Sequence, residues 1–276
     1  MKFDPLQLSR LRAGLFAGAA LLLTGAALRP LEAPAWNALR AHQPALELKS
    51  LQGALGQGLT VGLLGGFRAI AADLFWIRSY VAWENQDLPG TQTLIQLVTT
   101  MDPRPAYFWI NGARTIAYDM PHWRIATEGG YEMVPAERQT QFDREQADIA
   151  LKLLKRSLTY HPRNSALLIE IANIHLNKRK DPAAAAEFYK LASEQPDAPY
   201  FAARLHAEML KRVGRKAEAY AWLKGIYPKL PKPGQWENPT PAQAMEIEMG
   251  MADVVLDRIR ELEKDLAVPP DGAFKP

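Results

Sequence analysis

The clearest structural signal in the chain lies in residues 165–199, SALLIEIANIHLNKRKDPAAAAEFYKLASEQPDAP. Two apolar, alanine- and leucine-rich segments flank Asp181-Pro182, a dipeptide typical of turns. Pro196 follows the second segment, where a proline ends a helix. The stretch therefore predicts two antiparallel helices joined by a short turn.

The spacing of this unit recurs along the chain. Pro162, Pro196 and Pro231 are separated by 34 and 35 residues, and Pro103 lies 59 residues before Pro162. Alanines and large apolar residues keep the 34- and 35-residue steps, at Ala150, Ala184 and Ala219 and at Leu154, Phe188 and Leu223. Internal repetition with this period is typical of helical repeat proteins.

Four repeat units follow from this spacing, at about 72–105, 106–164, 165–199 and 200–233. Their eighth positions hold small residues, which let paired helices approach closely: Ser79, Ala113, Ala172 and Ala207. Each unit leaves an apolar face open, so neighbouring units must stack. The sequence predicts an all-α helix–turn–helix solenoid over about 51–233.

The second unit is longer than the others, and its extra residues fall between its two helices at about 121–146. Gly129-Gly130 and Pro135 are turn-forming residues, so a loop is predicted there. A long loop in a compact solenoid is often functional, and it can also serve as a cover over the groove.

The repeat resembles the tetratricopeptide repeat (TPR). The family prefers Trp, Leu-Gly, Tyr, Ala, Phe and Pro at positions that the third unit fills with Leu168, Ile171-Ala172, His175, Ala184, Phe188 and Pro196. The fourth unit matches through Ala207, Gly214, Ala219 and Pro231. The first unit departs from the pattern, because Arg78 stands where the family has leucine. The resemblance spans about 72–234 and implies a protein-binding scaffold.

In this family the first helix of each unit lines a concave, peptide-binding surface. Carried over by position, the resemblance implies six binding residues: Arg114, Tyr118, Asn173, Asn177, Arg204 and Lys211. Asparagine can hold a peptide backbone, and arginine and lysine can pair with a carboxylate. This set is partly similar to the family's carboxylate-binding clamp, although polar residues on a solvated helix face would give the same pattern.

Residues 1–29 combine a basic flank with an uncharged apolar run at 13–28. A helix of this run is about 24 Å long, and flanking arginines can reach the lipid headgroups. We expect a signal anchor that places the repeats outside the cytoplasm. A cleaved signal peptide is the alternative, since Gly25 and Ala27 are small residues at cleavage spacing.

The stretch from Gly65 to Trp76 also resembles the start of membrane-anchored bacterial repeat proteins. This resemblance implies a single-pass inner-membrane protein with its repeats in the periplasm, or a secreted or periplasmic protein if the signal is cleaved. Residues 30–50 are a Pro/Ala-rich spacer. The glycine-rich stretch after the spacer is predicted as a packed helix rather than a second span, because Arg68 and Asp73 are costly in lipid.

Residues 234–266 are predicted as a linker and a capping helix. Thr240-Pro241 is a helix start, and apolar residues recur with helical spacing from Met245 to Leu262. This single amphipathic helix would cover the open end of the solenoid. Residues 267–276 are expected to form a flexible tail.

Composition and motifs exclude several kinds of function. A net charge of +3, evenly spread, argues against nucleic acid, and a cysteine count of zero excludes disulfides and thiolate sites. No phosphate-binding glycine loop, G-x-S-x-G or H-E-x-x-H motif occurs. We therefore predict no catalytic residues, cofactor or metal.

The sequence thus predicts a membrane-tethered scaffold of the bacterial envelope that binds a protein or peptide partner, in secretion, pilus or envelope assembly. One alternative is a structural subunit of a membrane complex that uses its convex face or C-terminal helix. Another is an enzyme with a site in the insert, at Trp123, Glu128, Tyr131 or Glu137. The oligomeric state is left open.

Overall fold

The computed structural model describes residues 67–230 and 241–276, together with Ala19 and Leu23. The predicted all-α class is confirmed for these residues, which form helices and no β-strand. Apart from Ala19 and Leu23, the expected anchor at 13–28 lies outside the described residues, as do the segments 30–50, 51–66 and 231–240. No helix within the described ranges is both long enough and apolar enough to cross a membrane.

The chain divides into two compact units, residues 1–108 and 109–276. In the first, α1 (Arg68–Glu84) and α2 (Leu88–Met101) form a helix hairpin. Asp87 caps α2 by accepting a hydrogen bond from the Gly90 N–H at 3.0 Å. The apolar core of this unit consists of Ala71, Ala72, Val98, Met101 and Phe108.

A continuous helical run at 106–127 contains a widened turn. α3 (Ala106–Arg114) passes into a π-helical turn, π1 (Thr115–Asp119), and then into α4 (Met120–Thr127). The N–H of Met120 donates to the carbonyl of Thr115, five residues earlier. Pro121 has no N–H, and its ring would clash with the preceding turn of a regular α-helix. The wider turn accommodates this proline.

The prediction of a loop at about 121–146 is wrong for most of that range. α4 continues to Thr127, and α5 (Ala136–Ser157) is a 22-residue helix, so the non-helical part is confined to 128–135. Gly129 and Gly130 form the turn with φ values of 103° and 91°. The guanidinium of Arg124 lies 4.0 Å from the ring centre of Phe142, which holds α4 against α5, and Arg138 of α5 itself lies 4.3 Å from the same ring centre.

Two further hairpins follow, α6 (Ser165–Asn177) with α7 (Pro182–Ser193) and α8 (Tyr200–Arg212) with α9 (Lys216–Ile226). α7 also packs on α8. The predicted starts of the second, third and fourth repeats coincide with the first residues of α3, α6 and α8. The small residues at the four eighth positions are all buried: Ser79, Ala113, Ala172 and Ala207.

The turns inside three hairpins share one backbone conformation. Gln86, Lys180 and Gly214 have φ values of 54°, 56° and 83°, in the left-handed region. The next residue in each turn donates its N–H to a carbonyl of the preceding helix at 2.9 Å: Asp87 to Ala82, Asp181 to His175, and Arg215 to Leu210. These bonds satisfy carbonyls at the helix end that have no partner within the helix.

The single C-terminal helix predicted from the sequence is instead two helices. α10 (Pro241–Glu248) and α11 (Met251–Asp265) are separated at Gly250, which has a φ of 61°. α11 packs against α9 and buries Val255, Ile259 and Leu262. Met245 and Met249 in the preceding segment remain exposed.

Residues 267–276 differ from the flexible tail expected from the sequence. The N–H of Phe274 donates to Glu263 Oε1 at 2.5 Å, and its ring packs edge-on against Tyr227 with centroids 5.4 Å apart. The tail therefore folds back onto the C-terminal part of the second unit.

Candidate functional site

An open cleft of about 640 Å³ lies in the second unit, between α6 on one side and π1 with the end of α3 on the other. Every residue that lines it is polar or ionisable: Asn111, Arg114, Thr115, Tyr118, Asp119, Glu170, Asn173 and Asn177. Small-molecule pockets are mostly apolar, so this cleft has the character of a polar recognition surface.

Helix geometry explains why these side chains converge. Asn173 and Asn177 are four residues apart on α6, so they stand one turn apart on the same helix face. On the opposite side, Asn111, Arg114, Thr115 and Tyr118 have the i, i+3, i+4, i+7 spacing of one helix face, and Thr115, Tyr118 and Asp119 belong to π1. Single π-helical turns occur frequently at functional sites.

The floor of the cleft contains an ion pair. The Glu170 side chain is 2% exposed and the Arg114 side chain 55% exposed. Nε and Nη2 of Arg114 lie 2.8 and 2.7 Å from Glu170 Oε2. A buried carboxylate needs such a partner, because an uncompensated charge is costly to remove from water. The rest of the guanidinium remains accessible to a ligand.

Two tyrosines are hydrogen-bonded to the two asparagines. The hydroxyl of Tyr189, on α7, donates to Asn173 Oδ1 at 2.6 Å, and burial raises the pKa of Tyr189 to about 12. Burial also raises the pKa of Tyr118, against the effect of its hydrogen bond to Asn177 and with the nearby charge of Glu170. Both phenols are therefore neutral at physiological pH. Because Tyr189 engages Oδ1 of Asn173, the N–H groups of that amide remain for a ligand.

The edge of the cleft is connected to α5 through Lys178. Its Nζ lies 2.8 Å from Asp143 Oδ1 and 5.2 Å from the ring centre of Tyr118. An ammonium group over an aromatic face is an attractive arrangement. The position of Tyr118 is thereby supported from outside the cleft as well as by Asn177.

The structure brings together four of the six residues proposed from the sequence, namely Arg114, Tyr118, Asn173 and Asn177. Arg204 and Lys211 lie on α8 and do not line this cleft. Lys211 pairs instead with Glu261 of α11 at 3.1 Å, and the buried Nε of Arg204 has no hydrogen bond in the described part of the chain. The cationic half of the expected carboxylate clamp is thus not beside the asparagines.

Sequence reasoning missed Asn111, Thr115, Asp119 and Glu170. Asn111, Arg114, Thr115 and Tyr118 have the i, i+3, i+4, i+7 spacing of one helix face, so helical periodicity could have found Asn111 and Thr115. Glu170 also carried a signal, since it is a lone carboxylate in the apolar run from Leu167 to Ile171. Such a residue needs an oppositely charged partner.

Three of the four residues considered for an enzymatic site in the insert are engaged in local contacts. Trp123 is buried, Glu128 pairs with Arg138 at 2.9 Å, and Tyr131 is hydrogen-bonded to His122. The cleft between π1 and α6 is instead the place where polar groups converge.

Chemically, the cleft offers amide donors, the neutral phenol of Tyr118 and an accessible guanidinium. These groups suit hydrogen bonding to a polar chain. Comparison of the sequence with protein-family models and with curated proteins finds no match.

Proposed function

We propose that this protein is a membrane-tethered, TPR-like scaffold of the bacterial envelope that binds a peptide segment of a partner protein in the cleft between π1 and α6. The cleft carries the proposal, because four residues chosen from the repeat pattern line it. The hairpins that begin at α6 and α8, and the buried small residues at the eighth positions, support a TPR-like stack.

The proposed mode of binding follows from the available groups. The N–H donors of Asn173 would bind carbonyl oxygens of an extended peptide, and the accessible part of Arg114 would bind a further acceptor. Pairing of amides with a peptide backbone is insensitive to sequence, so side-chain selectivity would come from the walls of the cleft. The raised pKa of Tyr118 favours hydrogen bonding by a neutral phenol over nucleophilic attack.

The test of the binding role is quantitative affinity capture with the full-length chain. The double substitution Asn173→Ala with Asn177→Ala should deplete the specific partner from the captured set. Gln141→Ala removes an exposed amide on α5 outside the cleft and is the matched control. Equal recovery of all captured proteins by the double variant and by wild type would overturn the proposed binding site.

The tether is supported by the apolar run at 13–28 and its basic flank. Carbonate extraction of membranes, followed by intact mass measurement, tests it. A membrane-retained chain with residues 1–28 present is the expected result. A soluble chain shortened near Ala27 would replace the tethered scaffold with a periplasmic or secreted adaptor.

A further inference from the structure

Helix α1 carries a row of exposed aliphatic side chains. Ile70, Leu74, Ile77 and Val81 are 53%, 62%, 63% and 52% exposed. Isolated exposed apolar residues are common on protein surfaces, whereas four aligned on one helix indicate an interaction surface. The opposite face of α1 is already used, since Ala71, Ala72 and Ser79 are buried in the hairpin with α2.

The spacing of the row is that of a coiled-coil seam. Successive members are four, three and four residues apart, which places Ile70 and Ile77 at d and Leu74 and Val81 at a of a heptad. In this register Asp73 occupies g and Arg78 occupies e, five residues later. Both are exposed, and neither has an ion pair in the described ranges.

These charges select the partner and its direction. In a parallel pair of identical helices, a g residue lies beside the e residue five positions later on the other helix. Asp73 of each copy then pairs with Arg78 of the other copy, on both edges of the seam. An antiparallel pair places e beside e and g beside g, so it does not bring these two opposite charges together.

We propose that α1 associates in parallel with α1 of a second copy of this chain, through Ile70, Leu74, Ile77 and Val81. The apolar row and the two charges carry this inference independently of the binding cleft. Copies anchored by residues that precede α1 would also emerge from the membrane in the same direction, and this part of the reasoning depends on the proposed tether. The seam is short, so association should be strongest where copies are concentrated in one membrane.

The absence of cysteine from the chain allows a direct test. Single substitutions Ile70→Cys, Leu74→Cys, Ile77→Cys and Val81→Cys are made in the full-length protein, with exposed Thr93→Cys on α2 as the control. Membrane and soluble fractions are oxidised separately, so that loss of the tether and loss of the seam are distinguishable. A parallel seam gives disulfide-linked dimers at all four positions and none at the control.

Three outcomes would overturn the proposal. Dimers confined to Leu74→Cys and Ile77→Cys, near the middle of the row, would indicate an antiparallel pair. Absence of dimers at all four positions, as at the control, would show that the row is not covered by a second copy. Dimers that form at the Thr93→Cys control as readily as at the four positions would indicate random collision.

Charge exchange gives a second readout in the Ile77→Cys background. Asp73→Arg or Arg78→Asp alone should lower the dimer yield to that of the Thr93→Cys control, and the two together should restore it. Each variant's thermal unfolding is measured, because exposed substitutions should leave it unchanged. Failure of the double exchange to restore the yield, with unfolding unchanged, would contradict the parallel pairing.

Discussion

At the residue scale, the Arg114–Glu170 ion pair combines structural and binding roles. Replacing Arg114 by glutamine leaves the buried Glu170 carboxylate without its charged partner, and we expect a loss of about 1–3 kcal/mol in the free energy of unfolding. This loss is smaller than that for a fully buried ion pair, because about half of the Arg114 side chain is exposed. Urea unfolding measures the change.

A double-mutant cycle measures the interaction free energy between Arg114 and Glu170 apart from the interactions that each makes with other residues. Arg114→Gln combined with Glu170→Gln removes both charges, so it should recover a large part of the stability lost in Arg114→Gln alone. Additive losses in the double variant would show that the ion pair does not stabilise the fold.

Two histidines should make the folded protein less stable against unfolding in acid. Burial lowers the pKa of His175 and of His206 below the ordinary value of 6.5. For His175 the charges of Lys155 and Arg179 lower the pKa further, whereas Asp181 and Asp148 oppose the shift. The unfolded chain therefore binds protons more readily, and stability present above pH 6.5 declines as the pH falls through the folded pKa.

His175→Phe tests this pH dependence. The ring of His175 stacks on Phe188 at 5.4 Å, and neither of its nitrogens has a hydrogen bond in the described part of the chain. Phenylalanine keeps the stacking, so the variant should be at least as stable at pH 7 and should lose less stability between pH 6.5 and 5. His122→Asn, on the surface, is the control. Parallel pH profiles for wild type and His175→Phe would refute the assignment.

At the element scale, three hairpin turns each contain a residue in the left-handed conformation. Only one of these residues, Gly214, is a glycine. Lys180 adopts a φ of 56°, which costs a residue with a Cβ about 1 kcal/mol relative to glycine. Lys180→Gly should therefore raise the free energy of unfolding by about 0.5–1 kcal/mol. A decrease would show that another interaction of Lys180 outweighs the backbone term.

The equivalent glycine provides the reverse experiment. A Cβ added to Gly214 meets nothing within 4 Å, so Gly214→Ala tests backbone conformation without a steric clash. With a φ of 83° at this position, we expect a loss of about 1 kcal/mol. Chemical denaturation of both variants gives the comparison, and changes of the same sign would contradict the shared role of the two turns.

The elements that could be predicted were those with a repeating signal. Helix starts at 106, 165 and 200 followed from proline and alanine spacing. The extent of the loop in the insert was harder to predict, because Gly129-Gly130 and Pro135 mark a turn but do not show how short it is. The break at Gly250 was hidden because apolar spacing continues across it.

At the scale of the whole molecule, the candidate site was predictable where it depended on position within a repeat, as for Asn173 and Asn177. It was not predictable where it depended on a distant segment. Lys211 is drawn to Glu261 of α11, fifty residues later, and repeat spacing contains no information about that pairing.

The central claim is that the cleft between π1 and α6 holds a peptide segment of a partner protein, and photo-crosslinking in living cells tests it most directly. A benzophenone amino acid replaces Thr115 in the full-length chain, and the same change at Thr140 on α5, outside the cleft, is the control. We predict a discrete adduct from position 115 that disappears with Asn173→Ala and Asn177→Ala and is absent from position 140. An adduct pattern that is the same at both positions, or that persists when both asparagines are removed, would contradict peptide binding in this cleft.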